Sequence, residues 1–387
     1  MAMNLFGDVC VEGFRSYARE RVLAEIATLG FATRSELMRR LGMSRTMLTR
    51  VLETLFDDSL LEEYDDARPL SRGAGRPAKL LRLRAPATRT LAIRLRSDET
   101  DIAIVSERAD FRARAVAPLG LSTPARLTLE VAIEHARLLI AESDVPPDGC
   151  VLVLPTMITA DQRGILAEHA MAQMPSWVDD RVIAILGERL GMPVTLGNDG
   201  QLGALAEAVA GGGRGARTMI YVALGANGIG GGVVVDGRLL RGTGAAGEIS
   251  HLSVHPGGAP CPCGRYGCFA AEIDALAARY RGSAPRRSDS AGLDDDPELL
   301  NDFYTEALPV ISRAIATAVN LLSPDVVVVH DALSQRDVAL RARLRTAMAS
   351  HVHPALRDSF RVVGGRFGRD APLAAAGIMN ARAHARA

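Results

Sequence analysis

Gly247-Glu248-Ile249-Ser250-His251, followed after a short gap by Cys261-Pro262-Cys263-Gly264-Arg265-Tyr266-Gly267-Cys268, is the stretch from which the rest of the chain can be read. Taken as ligands, His251, Cys261, Cys263 and Cys268 have the spacing H-x9-C-x-C-x4-C, and the glycines between them permit a sharp loop. One imidazole and three thiolates at ~2.0–2.3 Å make a closed tetrahedral zinc site of the structural kind. A metal whose four positions are filled by protein has none left for an activated water, so hydrolysis at the metal is not expected. The competing reading is three reduced cysteines packed as small hydrophobes beside a chance histidine, but glycine-flanked cysteines are poor core material. His255 rivals His251 only if the backbone between them were helical, and Ser253–Gly258 does not read as helix.

Around this stretch lie 387 residues with 45 basic and 45 acidic side chains, a formal net charge of zero. At ~100–200 residues per domain, that length predicts two or three domains with a sizeable core. Neutrality excludes a uniformly basic nucleic-acid coat and an acidic disordered tail. Lys79 is the only lysine, so every other positive charge is a guanidinium. No apolar run approaches the ~20 residues of a membrane span, and Met1–Glu20 lacks a signal peptide's apolar core. Five cysteines, three of them between 261 and 268, point to metal in a reducing compartment rather than to a disulfide framework. The expectation is a soluble, cytoplasmic protein with no membrane partner.

Upstream, Tyr17–Leu29 carries Val22, Ile26 and Leu29 at helical spacing and stops at Gly30. Thr33-Arg34-Ser35-Glu36 is a capping-box pattern, Leu37 and Leu41 give the following short helix a buried side, and Gly42 breaks it. Ser44 can cap a third helix whose Leu48, Val51, Leu52 and Leu55 form one apolar stripe. Helix, tight turn, helix is helix-turn-helix syntax. It leaves Arg45, Thr46, Thr49 and Arg50 exposed, where guanidinium groups can reach phosphates or guanine edges and threonines can meet base edges. Ala67–Arg84 then holds six basic residues and no acid around the tight-turn sequence Gly73-Ala74-Gly75-Arg76-Pro77. A hairpin there is the wing of a winged helix, with Arg76 placed for a narrow minor groove.

The remainder alternates strand-like and helical runs in two α/β lobes. Thr90–Ile93, Ile102–Val105, Cys150–Leu154 and Pro193–Leu196 read as strands, with Leu127–Glu142 and Arg181–Leu190 as helices. A second series runs from the helix Leu202–Val209 through strands Met219–Leu224, Gly232–Val235 and Asp325–His330, the last preceded by a helix Leu308–Leu322. Gly282–Pro297 reads as a polar surface excursion.

The combined pattern resembles the ROK family of repressors, open reading frames and sugar kinases, whose hallmark is a Gly-Glu-Ile-Gly-His segment leading into Cys-x-Cys-Gly-x-x-Gly-Cys. Gly247–His251 fits with Ser250 in place of a glycine, and Cys261–Cys268 fits without a gap. Asn198-Asp199 followed by Ala204-Leu205-Ala206-Glu207, Gly228-Ile229-Gly230-Gly231-Gly232, and Asp236-Gly237-Arg238-Leu239-Leu240 agree as well. The N-terminal part is similar to the winged-helix head of the family's repressor branch. The resemblance implies three parts: a winged helix-turn-helix over 1–88, and an actin-like, ribonuclease H-like α/β kinase fold with lobes at 89–200 and 201–387. It also implies that Asn198, Asp199, Glu248 and His251 bind sugar hydroxyls, with Asp199 at the position of the family's catalytic base.

The departures from the family pattern are as informative. Kinases of the family open the first lobe with Asp-x-Gly-Gly-Thr, whose glycines admit ATP phosphates. The corresponding Leu91–Thr100 has no glycine, and its carboxylates Asp98 and Glu99 are expected to repel a triphosphate. A later Gly-Gly beside the adenosine site is replaced by His330-Asp331, and Gly225–Gly232 alone is a weak anion signal. Phosphoryl transfer depends on positioning and charge neutralisation, so the loss of the phosphate loop predicts no kinase activity, and Asp199 becomes a ligand contact. The hydroxyl-binding glutamate expected after the last cysteine is Ala270, with Glu272 out of register, and an expected Pro-Gly turn reads Leu154-Pro155-Thr156-Met157.

The expectation is therefore a transcriptional regulator, a repressor, that reads a double-stranded DNA operator as a homodimer or tetramer and senses a sugar or sugar derivative. The alternatives are an active sugar kinase with an added DNA-binding head, and a scaffold controlled by a protein partner.

Overall fold

A computed structural model describes residues 17–26, 29, 31–58, 60–65, 79–83, 88–166, 175, 177–178, 180–225, 228–281, 297–330 and 338–384. The chain divides into two compact units, Met1–Pro86 with Arg382–Ala387, and Ala87–Ala381.

In the first unit, α1 (17–26) precedes β1 (Ala32–Thr33), α2 (Arg34–Leu41), α3 (Arg45–Asp57) and the antiparallel pair β2 (Leu61–Asp65) and β3 (Lys79–Leu83). The strands form a sheet in the order β1-β3-β2. The caps explain where the helices start. Thr33 Oγ1 accepts from the Glu36 amide at 3.1 Å, and Ser44 Oγ accepts from the Met47 amide at 3.3 Å. Only half of the capping box forms, because the Glu36 carboxylate turns outward to Arg40 Nε at 3.2 Å. Gly42 ends α2 at φ 65°, a left-handed geometry that glycine adopts at least cost. Val22, Ile26, Leu37, Leu48, Leu52, Leu55, Leu61 and Leu81 form the core, each side chain stabilising by roughly 1.5–3 kcal/mol.

The second unit contains one topology twice. The first sheet has the order β6-β5-β4-β7-β8, from β4 (Arg89–Leu95), β5 (Thr100–Ser106), β6 (Phe111–Ala117), β7 (Gly149–Leu154) and β8 (Val194–Asn198). The second repeats it as β11-β10-β9-β12-β13, from β9 (Thr218–Gly225), β10 (Gly228–Val235), β11 (Arg238–Leu239), β12 (Val326–His330) and β13 (Arg361–Gly364). In both, three antiparallel strands are followed by two parallel ones. Alternation along β4 sends Leu91, Ile93 and Leu95 towards α4 (Ala125–Ala141) and α5 (Asp180–Leu190), and Ala92 towards the opposite face. In the second sheet Ile220, Val222 and Leu224 face α7 (Phe269–Arg281), α8 (Pro297–Leu322) and α9 (Val338–Met348).

Each lobe's last helix crosses to the other. α6 (Asp199–Ala210) leaves β8 and packs Ala204 and Ala208 on the second sheet, while its Leu202, Leu205 and Ala206 stay on the first. α10 (Ala371–His384) leaves β13 and packs Leu373, Ala374, Ala375 and Ile378 against Ala92, Ala103, Val151 and Val153 of the first sheet. The last helix of 201–387 thus completes the core of the first lobe. The sequence reading named none of β6, β11, β13, α7, α9 and α10, and it began α8 too late. α8 begins at Pro297 rather than Leu308, with Pro309 inside it, because buried Phe303, Tyr304 and Ala307 continue the face of Ile311 and Ile315. β6, with Ala113 and Ala115 alternating with exposed Arg112 and Arg114, is an edge strand too polar to stand out.

Candidate functional site

Asn198 and Asp199 stand where the chain passes from β8 into α6. Asn198 caps the helix, its Oδ1 accepting from the Gln201 amide at 2.8 Å, while its Nδ2 donates to the Thr156 carbonyl at 3.0 Å. Asp199 Oδ1 accepts from the Gly200 amide at 2.8 Å, and Oδ2 accepts from Arg94 Nη2 at 3.3 Å. Buried Gln201, one turn along, donates from Nε2 to the carbonyls of Gly244 at 2.7 Å and Ala246 at 3.2 Å. Those bonds fasten the loop that leads into Gly247 and Glu248. Burial, with Asp199's charge nearby, raises the Glu248 carboxyl above its ordinary range. Asp199 thus lies near enough to act on Glu248 through its charge, and Asn198 is tied to Thr156 of the turn at 154–157, while Gln201, which the sequence reading did not assign to the site, links α6 to the loop before Glu248. Gln201 carries a signal in retrospect, three residues after a helix-capping asparagine.

The glycines of β10 have a packing role. A Cβ on Gly200 would meet the Gly231 carbonyl oxygen at 2.5 Å and its amide nitrogen at 2.6 Å, so α6 lies directly on the β10 backbone. Gly228–Val235 is a strand in which Gly232 admits α6, a Cβ there falling 2.6 Å from Ala204 Cβ, while Gly231 admits the segment 247–249.

His251, Cys261, Cys263 and Cys268 place one donor atom each within 4.8 Å of all the others. Cys261 Sγ lies 3.6 Å from His251 Nδ1, and Cys263 Sγ lies 3.7 Å from Cys268 Sγ. A tetrahedron with metal–sulfur bonds of ~2.3 Å has edges of about 3.8 Å, so the donor set fits a metal of zinc's size. His251 closes the short helix Ile249–His251 that follows Glu248, and with Nδ1 facing the thiols, Nε2 is the nitrogen left to a second partner. Burial opposes the Cys263 thiolate, but hydrogen bonds from Arg265 outweigh it and lower the thiol to about 7. Burial and the neighbouring thiols push Cys268 up to about 12. His255 lies outside the cluster, with Nδ1 3.2 Å from Glu272 Oε2, and Glu272 Oε1 accepts from the Ala259 amide at 2.6 Å. Glu272 thus braces the cysteine loop and does not replace the glutamate missing at Ala270.

The turn between β4 and β5 corrects one expectation. Glu99 is not a free repelling charge: it pairs with Arg96 and, at 3.1 Å, with Arg369 Nη2. Arg114 holds Asp370 through two bonds, at 2.7 and 2.8 Å, and Asp101 at 3.4 Å. At the end of β12, His330 is pushed down to about 4 by burial and by the charge of Arg94, and its Nδ1 is buried without a hydrogen-bond partner. Asp331 lies outside the described residues.

In the first unit, Arg45, Thr46 and Arg50 are exposed along α3 and Thr49 is half-buried, as the apolar stripe requires. Neither arginine has an ion-pair partner among the described residues. Arg76 lies outside the described residues. The basic hairpin is less positive than its own segment suggests, because β2 supplies acids: Lys79 pairs with Glu63 at 3.2 Å and Arg82 with Glu62 at 2.5 Å, while Arg34 reaches Glu63 at 2.6 Å.

No described helix is long and apolar enough to cross a membrane. The chain is 23% identical to the xylose repressor of Bacillus subtilis (strain 168) over 362 residues, 91% of each chain. It is 27% identical to the DNA-binding transcriptional repressor Mlc of Escherichia coli (strain K12) over 378 residues, 92% of this chain and 90% of that one. Among solved structures it superimposes, with a TM-score of 0.66 and 23% identity, on a ROK family transcriptional regulator described as a homologue of the E. coli Mlc protein, covering 96% of this chain and 97% of that one. The ROK family model matches residues 90–382, nearly all of the two-lobed unit with its four-donor cluster, and the chain belongs to the ROK family.

Proposed function

We propose that this protein is a DNA-binding transcriptional repressor whose two-lobed body senses a sugar or sugar derivative and carries out no phosphoryl transfer. The observation that carries this reading is similarity to named repressors over nine-tenths of the chain, head included. The first unit supplies the reading surface: Arg45, Thr46, Thr49 and Arg50 on one face of α3, with Arg76 contributed from the segment between β2 and β3. Cross-strand pairing with Glu63 and Glu62 reduces the contribution of Lys79 and Arg82 to that positive face. The working division is a winged helix-turn-helix over 1–88 and lobes over 89–200 and 201–387, with α10 serving the first lobe. Homodimers, or tetramers built from them, present two such heads to a symmetric operator. The protein acts in the cytoplasm.

The turn after β4 supports the reading of no catalysis. Setting Asp-x-Gly-Gly on Arg94-Leu95-Arg96-Ser97 without a gap puts guanidinium groups and ion pairs where kinases need an acid and open glycine backbone. A phosphate there would meet side chains in place of open glycine backbone, and positioning is nearly all that phosphoryl transfer asks of a protein. Asp199, paired with Arg94, is left as a hydroxyl acceptor beside Asn198, Glu248 and His251. His251, Cys261, Cys263 and Cys268 hold zinc, whose charge keeps the three cysteines as thiolates and fixes the imidazole. The loop from Gly247 to Cys268 then presents Glu248 and His251 in one orientation.

A sugar releases DNA only by binding one arrangement of the heads more tightly than the other. A hundredfold change in occupancy needs a difference of about 2.7 kcal/mol. Glu272 bracing the loop, with Ala270 in the expected ligand position, favours as a second reading a body controlled by a protein partner. The test is gel-shift titration of the full chain on promoter fragments, with Arg45→Ala and Arg50→Ala. Each substitution is expected to weaken binding about tenfold, at a cost of about 1.4 kcal/mol, and to reduce the salt slope where the lost contact is a phosphate. Variants that bind like the wild type would remove the DNA-contact assignment, and a sugar panel that never changes wild-type binding would leave the protein-partner reading.

A further inference from the structure

The chain passes between the lobes twice, at Asn198-Asp199 from β8 into α6 and at residues 365–370 from β13 into α10. One side chain of β4 touches both passages. Arg94 Nη2 donates to Asp199 Oδ2 at 3.3 Å, and Arg94 Nη1 donates to the Arg369 carbonyl at 2.9 Å. The pair is partly shielded, with side chains 15% and 25% exposed. At the far end of α6 a second tie joins the same two passages. Fully buried Glu207 accepts from the amides of Gly212 at 2.8 Å, Arg366 at 3.0 Å and Phe367 at 2.9 Å. The two ties differ in kind. Glu207's carboxylate is sealed among three backbone donors, whereas Arg94 holds a carboxylate that remains partly exposed.

We propose that Arg94 is the positioning residue that couples Asp199 to the second lobe passage, so that a ligand hydroxyl drawing on Asp199 alters the tether on 365–370. The planar guanidinium suits this because it can serve two acceptors at once in a fixed fork, which a lysine's single ammonium centre cannot do in the same geometry. Glu207 forms the stiff end of the joint and Arg94 the adjustable one. Other charges at the second passage do not duplicate the link: Arg114 reaches Asp370 and Asp101, and Arg369 reaches Glu99, none of them touching Asp199.

Amide hydrogen exchange on the full-length protein tests the coupling. Only its consequence for DNA release rests on the sugar-sensing reading. The measurement uses neither sugar nor DNA, so the coupling and that reading fail separately. Arg94→Gln is expected to speed exchange about tenfold in both 199–204 and 366–371, leaving 252–268 unchanged. Asp199→Asn is expected to loosen 366–371 as well, although Asp199 makes no contact there of its own. Arg114→Gln should loosen 366–371 alone. Arg94→Lys should restore protection at 199–204 but not at 366–371, a split that a purely structural role does not produce. If Arg94→Gln does not fold, Asp199→Asn and Arg94→Lys carry the same test. Loosening of a single passage by Arg94→Gln, or an unchanged 366–371 in Asp199→Asn, overturns the proposal.

Discussion

The two lobes share strand order, strand direction and the exchange of a final helix, yet their first hairpins carry opposite chemistry. Between β4 and β5 the turn is Arg96-Ser97-Asp98-Glu99, tied down by pairs from Glu99 to Arg96 and Arg369. Between β9 and β10, Gly225 and Gly228 face each other across the corresponding turn. The helix contacts, in contrast, are alike. α6 meets β10 at Gly200, and α10 meets β5 at Gly377, whose Cβ would run into the Ser106 carbonyl. A duplicated scaffold thus keeps the packing that holds its helices and changes the turns that would hold a ligand. Among the described residues, the four-donor cluster belongs to the second lobe alone. Backbone approach is fixed by sterics, whereas a turn is free to exchange chemistry once its ligand is no longer needed.

The largest way to break this comparison is through the cluster that has no counterpart in the first lobe. Cys263→Ser is expected to release the metal and lower the melting temperature by at least about 10 °C, because structural zinc contributes directly to folding. Elemental analysis that still finds one metal per chain would refute the ligand set. Next come the matched helix contacts. Gly200→Val and Gly377→Val should each cost about 3 kcal/mol or more, since the obstacle in each case is backbone that cannot rotate away. Denaturant unfolding in which one variant is tolerated and the other is not would show that the lobes are alike in topology but not in packing.

A third probe is acid. His330 binds its proton at about 4 when folded and near 6.5 when unfolded, so between those values the unfolded chain holds more protons. Stability should therefore fall as pH drops from 6.5 to 4, by up to about 3 kcal/mol. His330→Gln should flatten that part of the profile, and an unaltered slope would mean that His330 is not buried neutral. The smallest effect expected is none: millimolar MgATP should leave the melting temperature of the wild type unchanged. A clear rise would show that the altered first turn still receives phosphate.

Much of this was legible in order of residues. The cysteine spacing, the caps at Thr33 and Ser44, and the apolar stripe of α3 are local signals, and each appears where the spacing places it. The central strands β4, β5, β7, β9 and β12 were legible for the same reason, as short buried apolar runs, whereas the edge strands β6, β11 and β13 were not. Non-local partners were not legible. Glu99 reads as a repelling acid until Arg369 arrives from 270 residues away. Lys79 and Arg82 read as a positive strand until β2 supplies Glu63 and Glu62. The helix reads as beginning at Leu308 until the packing of Phe303, Tyr304 and Ala307 extends α8 upstream to Pro297. Glu272 looks like a displaced ligand until its oxygens are seen on Ala259 and His255.

Sequence alone determined the helices of the first unit, the central strands of both lobes, the four candidate metal ligands and the family pattern, because these rest on period, cap chemistry and spacing within a few dozen residues. Only the tertiary structure decided that one lobe is built twice, that α6 and α10 change sides, and that Arg94 stands between Asp199 and the second passage. Those facts depend on which distant charges and backbones meet in three dimensions, and no local window of the chain encodes that meeting.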